Sequence, residues 1–262
     1  MRSFGFVGIV TLLAMIFLGV PLVMLVIQSL TNDSFLQFPP QSFGVRWYEY
    51  VAQQEDWRLA AGRSLLVAFI VTPLAVVFGT MAAFGLDRGP AAGRRAIYSF
   101  LIAPLILPHL VLALGLLRLA LVVGLEDTTF SLVMGHLTIA LPYVVITVGA
   151  SLSTLDRTQE EAAQSLGANG WQVFWNVVLP GIRPGILAGF IFAFITSFDE
   201  FIVSYFLVTF QFTLPLQIFS SLSFQVDPSI AAVSTIALAL SALLTAIILS
   251  KGQVVSGGKA IK

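Results

Sequence analysis

Six stretches of the chain are long, apolar and nearly free of charge, and they set the expected architecture. No charged residue stands between Arg2 and Asp33, between Arg63 and Asp87, or between Arg95 and Arg118. A helix needs about 20 apolar residues to cross roughly 30 Å of hydrocarbon. The pattern therefore predicts spans at about 4–30, 64–86, 96–117, 130–152, 185–208 and 229–250. The first is too long for a signal-peptide core and lacks a small-x-small cleavage site before Thr31, so it is read as a retained helix. Pro104 and Pro108 predict a kink in the third span. The fifth is unusual because it carries Asp199 and Glu200.

Composition agrees. Of 262 residues, 58% are apolar and only 10% are charged, against about 25% charged in soluble domains. Such a chain has too little charge to cover a soluble globule, and too much apolar content for disorder. The expectation is an all-α integral membrane protein with one transmembrane domain over residues 1–262. Thirteen basic residues balance thirteen acidic ones, so no nucleic-acid partner is expected. With no cysteine, disulfides and thiol chemistry are excluded.

Six spans place both termini on one side. With the termini inside, nine Lys or Arg lie inside: Arg2, Arg88, Arg94, Arg95, Arg157, Arg183, Lys251, Lys259 and Lys262. Four lie outside: Arg46, Arg58, Arg63 and Arg118. The positive-inside rule then makes both termini cytoplasmic. The outer connection, 31–63, carries Trp47, Tyr48, Tyr50 and Trp57. These aromatics suit an interfacial anchor or contact with an extracytoplasmic partner.

The inner connection, 153–183, is the informative one. Thr158 with Glu161 three residues later reads as a capping box opening a helix at 159–166. Gly167 supplies the left-handed stop. Gly170 opens a second segment with Trp171, Phe174 and Trp175 on one face. This helix pair suits either the membrane interface or a cytoplasmic partner that receives an aromatic knob.

Glu161-Ala162-Ala163, Gly167, Val177 and Leu179-Pro180 resemble the E-A-A-x3-G-x9-I-x-L-P loop of ABC importer permeases, with Val177 where the family has Ile. Arg63-Ser64-Leu65 is similar to the family's Asn-Ser-Leu span entry, and Ala82–Arg88 to its small-residue exit. Ser197-Phe198-Asp199-Glu200 and Thr213-Leu214-Pro215-Leu216 resemble the second-subunit branch of spermidine/putrescine-type permeases. The resemblance covers about 60–250 and implies the type I importer permease fold in a bacterial inner membrane. It also implies a homologous second permease subunit, two cytoplasmic ATPase subunits that bind the ATP, and an extracytoplasmic substrate-binding protein. Carried over, Glu161, Ala162, Ala163, Gly167, Trp171, Phe174, Leu179 and Pro180 form the ATPase-coupling loop.

A charge near the centre of the fifth span costs roughly 2.5–3.5 kcal/mol unless it faces protein or water. On a continuous helix, Thr196, Ser197, Glu200 and Ser204 form one polar stripe, with Asp199 rotated about 100° from Glu200. That stripe suits a packing seam, or a path for a cation such as a polyamine. His109 and His136, on different spans, suggest packing roles before a relay or metal pair. No G-x4-G-K-[ST] occurs and no nucleophile elbow forms at Gly149–Ser153, so no enzyme, cofactor or metal is expected in this chain. The competing readings are an ATP-independent secondary transporter, for which no matched repeats are evident, and an importer of another solute: an opine, iron or an organic ion.

Overall fold

A computed structural model describes residues 6–256 except Ala91 and Gln225. Arg2, Lys259 and Lys262, counted above for orientation, lie outside the described residues, as do the first residues of the 4–30 span. Among the described residues there is no β-strand, only an isolated bridge between Thr31 and Phe43. The chain falls into two compact units. One comprises residues up to Leu59 with Gln217–Ala242, and the other Ala60–Leu216 with the residues from Leu243 on.

In the first unit, α1 (Phe6–Ser29) is apolar on all sides, and most of its side chains from Ile9 to Val23 are exposed, as expected of a helix solvated by lipid. Its end is tied down by Ser29, whose hydroxyl lies 2.7 Å from that of Tyr48 in α2 (Arg46–Gln53). Between them the chain folds over Asp33. Its carboxylate accepts from the Gln37 side chain (3.0 Å), the Gln41 N–H (2.8 Å) and the Ser42 hydroxyl (2.7 Å). Those bonds hold the carboxyl well below the usual carboxylate range, the Gln37 bond most of all. Trp47 is buried and donates its indole N–H to the Asp33 carbonyl at 2.9 Å. Trp57 is also buried. These two rings are core pieces of the 31–63 connection rather than anchors at its surface.

In the second unit, α3 (Glu55–Arg88, assigned here from Ala60 on) runs longer than the expected 64–86. The expected third span is two helices, α4 (Arg94–Ile106) and α5 (His109–Val123), bent by 106°. Pro108 has no N–H to continue the ladder, and Leu107, the residue before it, is extended at φ −70° and ψ 141°. The kink expected from the prolines is thus a full elbow. α6 (Thr129–Thr154) is the most buried helix, with Leu132, Ala140, Val144, Val148 and Leu152 in the core. It packs against α9 (Leu179–Phe198), where Gly185 and Gly189 let the backbones close. A Cβ at Gly189 would stand 2.8 Å from the Thr147 hydroxyl. Gly79 of α3 also closes on α6, where an added Cβ would stand 2.7 Å from the Val144 Cβ.

Between α6 and α9 lie α7 (Arg157–Ser165), α8 (Gly170–Val173) and a π-helical segment, Phe174–Val178. The helix that carries the expected fifth span runs from Gly170 to Phe198, starting well before Gly185. After α9 come α10 (Ile202–Leu207), α11 (Leu214–Phe224) and α12 (Ser229–Ser256). Five described helices are long and apolar enough to cross a membrane. The bent α4–α5 pair makes a sixth when counted as one span.

Candidate functional site

Two places concentrate the residues singled out by sequence: the loop before α9 and the break after it. The loop's first helix starts earlier than expected. Asp156, not Thr158, is the N-cap, accepting from the Thr158 N–H at 3.0 Å. That bond also lowers the Asp156 carboxyl below its ordinary value. Both residues are good caps two positions apart, and Asp156 adds the charge that suits the helix dipole. Gly167 turns the chain at φ +90°, a conformation that favours glycine. The capping box is at the second helix: the Asn169 side chain accepts from the Gln172 N–H and the Gln172 side chain from the Asn169 N–H, both at 2.9 Å.

Of the loop residues, Glu161, Ala162 and Gly167 are exposed, while Ala163 packs on the core. Trp171 is 70% exposed, and its ring meets Trp175 at 5.5 Å. Phe174 joins them, 5.6 Å from the Trp175 ring and 6.5 Å from that of Trp171, and also stands edge-on to Phe84 of α3, centroids 5.5 Å apart. Leu179 and Pro180 are half-buried at the start of α9. Sequence reading passed over Leu166, which is 89% exposed beside the Gly167 turn. Its signal was available: an apolar residue closing an otherwise polar helix.

The expected continuous span at 185–208 is instead two helices. α9 ends with Asp199 as its C-cap. Glu200 folds its carboxylate onto the Val203 N–H at 2.8 Å, occupying a donor that the start of α10 leaves open. The polar stripe is therefore divided. Glu200 is 7% exposed and turned inward, whereas Asp199 is exposed and Thr196 half-buried. Ser197 and Ser204 are buried and both meet His136 of α6. Its Nδ1 is 3.1 Å from the Ser197 hydroxyl and its Nε2 3.0 Å from that of Ser204. His136 is thus a bridge across the break, a packing role. The far end of α10 is held by Asp127, which accepts from the Thr209 N–H at 2.9 Å.

Two other quoted motifs meet: the Ser64 hydroxyl accepts from the Leu214 N–H at 2.8 Å. Arg63 donates to the Thr129 hydroxyl at 3.2 Å. Among the described residues no group of three His, Cys, Asp or Glu is placed to hold a metal.

Helices of this length and composition define a multi-pass membrane protein. Residues 75–251 match the family described as binding-protein-dependent transport system inner membrane component, and the chain belongs to that family. It is 32% identical over 230 residues to the spermidine/putrescine transport system permease protein PotC of Haemophilus influenzae, covering 87% of this chain and 89% of that protein. It is 34% identical over 238 residues to the putrescine transport system permease protein PotI of Escherichia coli strain K12, covering 88% and 84%. The fold is that of ABC importer permeases. A chain of a bacterial ABC transporter involved in import of the acidic polysaccharide alginate superposes with TM-score 0.71 at 15% identity, covering 95% of this chain and 98% of that one. The bacterial alginate ABC transporter in complex with an alginate pentasaccharide-bound periplasmic protein gives 0.67 at 16% identity, covering 92% and 89%.

Proposed function

We propose that the chain forms half of the translocation path of an ATP-driven importer for polyamines. In this reading it pairs with a homologous permease subunit and receives its solute from an extracytoplasmic binding protein. Two cytoplasmic ATPase subunits bind and hydrolyse the ATP; this chain carries no cofactor. Both termini are cytoplasmic, in the bacterial inner membrane. The relatives named for spermidine and putrescine, similar over most of their length, support the solute class. The periplasmic protein bound to the alginate transporter supports the outer partner.

The observation that carries the mechanism is the exposed edge of the loop. Leu166 and Trp171 project beside Gly167 and are largely exposed, and such apolar and aromatic residues anchor protein interfaces. Glu161, Ala162 and Gly167 lie at the same edge, where alanine and glycine permit close approach. We assign this edge to the ATPase and the Leu179-Pro180 junction to the passage of motion into α9. At the break, Asp199 is the carboxylate that meets the solute, while Glu200 caps α10. Thr196 lies on the solute side, and Ser197 and Ser204 support the break through His136.

The test uses the complete complex in proteoliposomes with radiolabelled spermidine. ATP-dependent uptake is expected, falling about tenfold in Asp199→Asn, the scale of one lost charge contact. Glu200→Gln, which keeps an acceptor for Val203, is expected to change uptake less than threefold. Uptake without ATP would overturn the importer reading, and equal uptake by wild type and Asp199→Asn would overturn the assigned path. Deleting residues 159–170 is expected to abolish ATPase association.

A further inference from the structure

The end of α3 and the start of α7 carry a linked set of charges that the docking reading does not use. Arg88, the last residue of α3, forks onto Glu160 in the first turn of α7. Its Nε donates to Oε2 at 3.3 Å, and its second nitrogen closes on Oε1. The two side chains are only 16% and 13% exposed. Arg157, also on α7, donates to the Asp87 carbonyl at 3.3 Å and to its carboxylate at 3.4 Å. Asp87 and Arg88 pair with each other as well. Each helix thus supplies one acid and one arginine.

The placement is informative. An acid in the last turn of a helix opposes the helix dipole, so Asp87 weakens the end of α3 unless a cation answers it. Arg157 and Arg88 are those cations. On α7, Arg157 and Glu160 stand three residues apart and so share a face. Beneath the charges, the Phe84–Phe174 contact and the buried Ala83 and Val173 continue the same joint.

We propose that this charge network is the joint through which α7 drives α3 during transport, with Asp87, Arg88, Arg157 and Glu160 as positioning residues. The inference rests on α7 being the ATPase-docking helix. The loop has two covalent outlets, into α6 through Leu155-Asp156 and into α9, and the π-helical segment Phe174–Val178 interrupts the regular ladder in the second. α3 is helical over 34 residues, about 51 Å at 1.5 Å per residue. A displacement of α7 gripped at Arg88 is delivered along that span. A bidentate, largely desolvated pair is the kind that holds geometry under load, which an exposed pair does not.

Charge reversal tests this. Arg88→Glu, Glu160→Arg and the double swap are assembled into the complete complex. Spermidine taken up per ATP hydrolysed is measured, with ATPase association by pull-down. Each single reversal is expected to lower uptake per ATP about tenfold, the scale of coupling between contacting residues, while the ATPase stays bound. The double swap places both acids on α3 and both arginines on α7, and is expected to recover uptake per ATP to within about threefold of wild type. Arg88→Lys, which keeps the charge and loses the fork, is expected to assemble normally and fall about threefold; it carries the test where a reversal fails to assemble. Singles that match wild type in uptake per ATP, or a double swap no better than either single, overturn the proposal. Detachment of the ATPase by Arg88→Glu overturns it too, since the network is then part of docking. A deletion of 159–170 that leaves the ATPase bound refutes instead the docking reading beneath it.

Discussion

Replacing His136 with leucine probes how the break between α9 and α10 is held. The Ser204 hydroxyl donates to the Glu200 carbonyl at 3.0 Å, so its one hydrogen is committed. His136 Nε2, 3.0 Å away, must then be the donor. In the neutral ring this leaves Nδ1 to accept from Ser197. The two contacts are therefore unequal in consequence. Without the imidazole, Ser204 keeps its bond to Glu200, but Ser197 loses the partner described for it. Hydrogen bonds between membrane helices contribute about 0.6 kcal/mol on average and up to about 1.7. A buried hydroxyl left unpaired costs about 1–3 kcal/mol. His136→Leu is thus expected to destabilise the protein by about 2 kcal/mol. In double-mutant cycles the coupling to Ser197→Ala should be about 1 kcal/mol and should exceed that to Ser204→Ala. Unfolding by dodecyl sulfate in mixed micelles measures all three. If Ser204 couples more strongly than Ser197, or both couplings fall below about 0.3 kcal/mol, the bonding scheme is wrong.

Two further outcomes follow from particular contacts. At Gly189 a Cβ would meet Thr147 Oγ1 at 2.8 Å and Val144 Cα at 3.2 Å; Gly189→Ala should therefore cost about 1–3 kcal/mol by overpacking. Gly115→Ala, with nothing within 4 Å, should be neutral or stabilising, and thermal unfolding in detergent separates the two. At Asp33 the folded carboxyl is depressed below its ordinary value of 3.8. Its stabilising share is therefore fully present above that value and is lost as pH falls through the lower folded one. Hydrogen exchange at the Gln41 amide should stay protected down to about pH 4 and rise only below it; exchange that rises between about pH 6 and 4 would contradict the assignment.

The apolar helices were legible because lipid imposes one simple rule, an uncharged run of sufficient length, but only Asp87 stands at a helix end; Arg63 and Arg118 fall inside α3 and α5. The turn at Gly167 was legible for a similar reason, since few residues other than glycine take that backbone. The break at Asp199 was not. An acidic pair in an apolar run reads equally well as two faces of one helix, and only the hydrogen bond from Val203 to Glu200 shows that a new helix starts. Asp156 and Thr158 are near-equal caps, so their choice depended on packing. α11 is too short to register as a span, and the Arg88–Glu160 pair joins residues 72 positions apart that no local pattern connects.

The elbow at Leu107-Pro108 carries a demand on its surroundings. Its two arms have 13 and 15 residues, about 20 Å and 22 Å long, and neither alone traverses roughly 30 Å of acyl chains. Hydrocarbon offers no hydrogen bonds to peptide groups at an interrupted helix. Yet Ile106, Leu107, Leu110 and Val111 are exposed on this chain. Something other than lipid tails has to cover that corner, and a neighbouring polypeptide or a water-filled vestibule meets the requirement.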